Sequence, residues 1–141
     1  YQGFRTSNFF VKRDLLLAHP FDERIRHYGY EDVLFGRRLL SAGIPVTHVE
    51  NPVAVDDFEP NDVFLRKTDE GLRTLQSMSA EMSEYTHILV WVEKLRKLHL
   101  SGIVLFLYRI AQGAIKRNLL GQSPNVKLYN IYRLCTYLAL K

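Results

Sequence analysis

Residues 21–43 read FDERIRHYGYEDVLFGRRLLSAG, and the fold follows from how this stretch is parsed. Two adjacent carboxylates, Glu31 and Asp32, come directly after an aromatic-glycine loop, Tyr28-Gly29-Tyr30. The apolar spacing predicts a helix from about residue 31 to 42, with Phe35, Gly36, Leu39 and Leu40 on its buried arc and Arg37 and Arg38 facing out. Gly43 is a natural C-terminal cap, and Pro45 bars continuation. Glu31 and Asp32 therefore fall in a first helical turn, where backbone N–H groups lack partners and the macrodipole favours negative charge. On a helical projection Asp32 lies on the side of Phe35, Gly36 and Leu39, pointing toward the interior or a cleft, and Glu31 projects about 100° away. One carboxylate can then take a proton while the other holds a hydroxyl by hydrogen bond. The same pair is also what many ordinary helix starts carry.

Working outward, residues 4–13, FRTSNFFVKR, read as a strand because β-branched and aromatic residues are dense there. Asp14 then opens a short helix that Pro20 stops. On the other side, residues 44–55 read as an extended segment broken by Pro52. From Asn61 or Asp62, either of which can cap a helix, the pattern turns helical, with Phe64, Thr68, Leu72 and Leu75 on one face. A second helix over about 81–98 gathers Ile88, Trp91, Val92, Leu95 and Leu98. A third over about 102–118 aligns Ile103, Leu107, Ile110 and Ala114. A last one carries Leu128, Ile131, Tyr132, Cys135, Leu138 and Ala139 on one stripe. The chain thus reads as mixed α/β over residues 1–60 and as a helical subdomain over residues 61–141.

The 141 residues suffice for one domain with a core, and a 47% hydrophobic, 24% charged composition speaks against disorder. The single cysteine, Cys135, excludes a disulfide framework and a Cys-based zinc site, and suits a reducing compartment. No apolar run approaches the ~20 residues of a membrane-spanning helix, so a cytoplasmic location is expected. The first residue is Tyr1, so a truncated or processed product is expected, with part of any active site in a preceding segment. Charge is distributed unevenly. Residues 1–93 hold ten basic and fifteen acidic residues, whereas residues 94–141 hold nine basic residues and no acid. Interleaved with Tyr108, Tyr129, Tyr132 and Tyr137, this basic tail fits peripheral contact with a membrane surface through residues 94–141, on the inner face. Packing of the tail on the acidic half of the chain is the plainer alternative. No nucleic-acid-binding motif is visible, and nucleic acid is not expected as a partner.

The ordered set FDE-x5-GYED-x3-G-x2-L-x3-G, preceded by Thr6-Ser7-Asn8-Phe9, resembles the acceptor site of inverting family-two glycosyltransferases with the GT-A fold. It is also similar to the C-terminal galactosyltransferase-type module. The likeness covers about residues 3–76, and the helical tail resembles extensions on bacterial surface-polysaccharide enzymes. The resemblance implies an α/β fold, the C-terminal half of a GT-A domain, followed by the helical subdomain. It implies that Asp32 is the catalytic base for an acceptor hydroxyl. Glu31 is then an acceptor ligand, and Tyr28, Gly29 and Tyr30 form the acceptor loop, the tyrosines as flat faces for sugar rings. The implied reaction is hexosyl transfer, with inversion, from a nucleotide-sugar donor to a glycan or lipid-linked glycan. The activity is expected of the full-length protein, not of this piece alone. The implied cofactor is a divalent metal, Mn²⁺ or Mg²⁺, bound mainly by the preceding half. The family's usual histidine ligand is missing from residues 51–58, where Asp56 and Asp57 stand as possible oxygen ligands. An alternative from another class is a non-catalytic basic helical module that binds a membrane surface or a protein partner.

Overall fold

The computed structural model describes residues 4–54, 58–82 and 86–140. They form helices joined by irregular segments: α1 (Arg13–Ala18), α2 (Glu31–Ser41), α3 (Asn61–Ser77), α4 (Ser79–Met82), α5 (His87–Lys97), α6 (Ser101–Leu119) and α7 (Val126–Ala139).

The α/β expectation is overturned. Among the described residues there is no strand and no sheet, and the architecture is helical rather than half of a GT-A fold. Residues 4–12, expected as a strand, turn at Thr6–Ser7 and run on irregularly to α1. Their aromatic side chains serve a cluster instead of a pleated face. Phe4 and Phe9 approach the Phe35 ring at 5.7 and 6.2 Å between centroids, and Phe21 stacks on Phe35 at 4.5 Å. Density of β-branched and aromatic residues reports a surface that will be packed; it does not supply the partner strand that a ladder requires. Residues 44–54 are likewise irregular and mostly exposed, and Pro45 and Pro52 each remove a backbone donor. The two segments meet through Asn8, whose Nδ2 donates to the Asn51 carbonyl at 2.9 Å.

α2 starts and stops where its residues dictate. Gly43, at φ +67°, forms the left-handed C-terminal cap. Its N–H donates to Leu40 O at 3.0 Å, and the Ile44 N–H reaches back to Leu39 O at 2.9 Å, closing the last turn. The same closure ends α5 with a non-glycine residue. His99, at φ +54°, donates to Arg96 O, and Leu100 N–H donates to Leu95 O. This turns the chain sharply into α6, and α5 and α6 make an angle of 115°. At α7 the Asn125 side chain caps the N-terminus, accepting from the N–H groups of Lys127 and Leu128 at 2.9 and 3.3 Å.

α3 and α7 form the centre of the molecule. One apolar cluster joins Leu34 of α2, Leu72 and Leu75 of α3, Leu89 and Val92 of α5, and Tyr137 of α7. A second joins Leu65 of α3 with Tyr108 and Ile115 of α6 and Tyr132 and Cys135 of α7. The third is the Phe4, Phe35 and Leu39 group under α2. Between α3 and α7 two polar pairs cross the seam. The Tyr132 hydroxyl donates to Asp69 at 2.6 Å, and Thr68 Oγ1 lies 3.0 Å from the Tyr129 hydroxyl. Among the described residues no single helix is long and apolar enough to cross a membrane.

Candidate functional site

Asp22, the acid of the FDE triplet, anchors the loop that leads to the carboxylate pair. Its side chain is nearly buried, bound by Arg24 at 2.7 Å and by Arg38 of α2. The Arg24 hydrogen bonds outweigh the opposing effect of burial and hold the Asp22 carboxyl at about 2, with Arg38 adding to the shift. Arg24 continues to Glu81 of α4 at 3.1 Å. Arg38, expected to face solvent, therefore turns inward to the loop and also donates to Pro20 O at 2.9 Å.

The loop Tyr28-Gly29-Tyr30 docks on α3. Glu70 accepts from the Tyr28 N–H at 3.2 Å and pairs with His27 at 3.3 Å, and Thr74 Oγ1 donates to Tyr28 O at 3.2 Å. Gly29, at φ +100°, passes directly over Gly71, so that a Cβ at position 29 would stand 3.2 Å from the Gly71 Cα. The freedom of Gly29 thus serves a close contact with α3 rather than a ligand. Tyr30 caps α2 in a left-handed conformation, φ +70°, without a side-chain cap bond. Its ring packs into the core between α2, α3 and α7, and burial pushes its phenol upward. It offers a sugar less exposed surface than its loop neighbour. Tyr28 is 53% exposed, and Lys67 Nζ sits 5.4 Å from its ring centroid.

The carboxylates occupy the first turn of α2, as their position in the sequence implies. Asp32 Oδ1 accepts from the Val33 N–H at 2.7 Å, and Oδ2 faces Arg5 Nη1 at 3.4 Å; the side chain is 18% exposed. Arg5 is itself mostly solvated, so its hold on Asp32 is loose. Glu31 presents a buried carboxylate oxygen, Oε2, that no donor among the described residues reaches. Such an atom is costly to leave unmatched and marks a place where a donor belongs. Two grooves flank the region. One of about 420 Å³ is lined by His19, Arg37, Arg38 and Glu81. The other, about 740 Å³, runs along α3 past Arg26, His27, Arg66 and Arg73. Neither is lined by Asp32.

The structure brings Glu31, Asp32 and Tyr28 to one end of α2 and sends Gly29 and Tyr30 into packing. Asp56 and Asp57 lie outside the described residues. Among the described residues no three of His, Cys, Asp and Glu gather into a metal-ligand set. Sequence reasoning missed Arg5, the neighbour of Asp32, and the α3 residues Glu70, Gly71 and Thr74 that hold the loop. One signal was present: a glycine inside a long helix costs about 1 kcal/mol against alanine, which flags a close approach. No protein-family model, no curated protein and no solved structure matches the chain.

Proposed function

We propose that this chain is part of a glycosyltransferase in which Asp32 removes the proton from an acceptor hydroxyl as that oxygen attacks a nucleotide-sugar donor with inversion. Asp32 carries the reading: its carboxylate is held in the first turn of α2 by the Val33 N–H, is 18% exposed, and is paired only loosely with the solvated Arg5. A sugar hydroxyl that reaches Asp32 Oδ2 in place of Arg5 can give up its proton there, with Glu31 the neighbouring carboxylate of the motif. Tyr28, exposed in the loop that leads into the pair, offers a sugar ring a flat surface. The proposal rests on these side chains and on the motif they belong to, and claims nothing about a sheet. The acceptor is a glycan or a lipid-linked glycan, and the protein works peripherally at the cytoplasmic face of a membrane. The divalent cation that a diphosphate leaving group calls for is part of the proposal, without a ligand set among the described residues.

The test is Asp32→Asn in the full-length protein, with transfer of labelled sugar followed from a panel of nucleotide-sugar donors. Loss of a positioned base lowers turnover by about 10²–10⁴-fold, with donor affinity and the circular dichroism spectrum unchanged. Turnover equal to that of the unsubstituted protein removes Asp32 from the role.

A further inference from the structure

α6 is apolar on two opposite sides. The side centred on Tyr108, Ile115 and Leu119 is buried against α7. Ile103, Phe106, Leu107 and Ile110 project to the far side at i, i+3, i+4 and i+7, and they are exposed, Phe106 at 63% and Ile110 at 71%. The stripe of Ile103, Leu107 and Ile110 that the sequence aligns is therefore the outer face of this helix. Trp91 and Leu98 of the preceding α5 and its cap are also more than half exposed. A surface helix normally meets water with a polar face, and contiguous exposed apolar surface marks a contact.

From this geometry we infer that the α5–α6 corner is a membrane-docking surface, seated at the boundary of headgroups and acyl chains in an anionic leaflet. Charge decides among the possible occupants. Arg109 and Lys116, seven residues apart, flank the stripe on one side, Arg117 closes its far end, and Lys94 lies over the Trp91 ring at 5.1 Å. No acid occurs from residue 94 to the last residue. A second copy docking face to face would bring two such basic rims together, which like charges oppose. An anionic bilayer matches both features, accepting the apolar stripe into the acyl boundary and the cations among phosphates. Tryptophan beside a lysine is the residue pair such an interface favours. α5 and α6 are bent by 115° and form no single straight span; in this proposal the corner sits on the leaflet. The tyrosines interleaved with the basic residues play a different part, since Tyr108, Tyr132 and Tyr137 are buried. This inference deepens the peripheral-membrane part of the proposed function and is independent of glycosyl transfer.

Trp91 is the chain's only tryptophan, which makes its emission a reporter for this surface. The experiment mixes the full chain with phosphatidylcholine vesicles, with and without phosphatidylglycerol, and adds brominated acyl chains to report depth. The expected result is a blue shift and quenching with the anionic vesicles, weakened by salt. Phe106→Ser with Ile110→Ser should lower partitioning by at least about tenfold. Arg109→Gln with Lys116→Gln should lower it by about thirtyfold. All four side chains are exposed, so both variants should keep the wild-type circular dichroism. Unchanged Trp91 emission on anionic vesicles overturns the inference. So does wild-type partitioning by the Phe106/Ile110 variant, or a lipid-free dimer that shields Trp91. Asp32→Asn should bind vesicles like the unsubstituted protein, so loss of transfer and loss of docking are read separately.

Discussion

Gly29 and Gly71 face each other where the Tyr28–Tyr30 loop crosses α3, yet alanine at the two positions should have opposite effects. At Gly29 the backbone is left-handed, φ +100°, and an added Cβ would lie 3.2 Å from the Gly71 Cα. The first factor costs roughly 1–2 kcal/mol for a residue with a side chain. The second falls on backbone, which cannot rotate aside, and overpacking of this kind costs about 1–3 kcal/mol. Gly29→Ala should therefore destabilise by about 2–5 kcal/mol and lift the Tyr28 backbone off Glu70 and Thr74. At Gly71 the backbone is helical, and an added Cβ would find Tyr28 O at 3.6 Å and the Tyr30 ring at 3.8 Å, ordinary contacts. Alanine gains up to about 1 kcal/mol of helix propensity there. Gly71→Ala should thus be neutral or stabilising. Urea unfolding followed by circular dichroism at fixed pH measures both. Equal losses for the two variants, or a Gly29→Ala protein within about 0.5 kcal/mol of wild type, a change typical of surface substitutions, would refute the reasoning.

Two further outcomes are expected. Asp22 has a folded value of about 2 against its ordinary 3.8; its contribution is complete above about pH 4 and lost as pH falls through about 2. Asp22→Asn should consequently cost about 2 kcal/mol at neutral pH and flatten the acid limb of the stability curve, as measured by thermal melts across that range. Asn125→Ala removes the acceptor for two first-turn N–H groups of α7 and should cost about 1 kcal/mol in urea; a change below a few tenths would deny Asn125 its capping role.

The helices were largely legible in the sequence, and the reasons are local. α2 spans Glu31–Ser41, within a residue of its expected limits, because Gly43 and Pro45 terminate it through backbone geometry that needs no distant partner. The strand reading of residues 4–13 failed because pairing is non-local and the aromatic density was recruited by Phe35. On α3 the buried position is Leu65, while Phe64 remains partly exposed, a shift of one residue, or about 100° of helix. On α6 the periodicity found a true stripe, which the fold leaves on the outer side. A helix with two apolar faces gives no local clue to which one α7 will cover, and Tyr132 and Cys135 cover Tyr108. At the candidate site the carboxylate pair was visible as motif and position, whereas Arg5, Glu70 and Thr74 come from segments that only the fold brings near.

The two polar pairs between α3 and α7 bear on alignment. Leucine and tyrosine side chains along that seam would accept a slide of one helical turn, about 5.4 Å, with modest loss of contact. Asp69 would not: displaced by a turn, it loses the Tyr132 hydroxyl, while Thr68 and Tyr129 part at the same moment. The pair of rungs thus works as an indexing notch, admitting one pitch position of α7 and rejecting its neighbours.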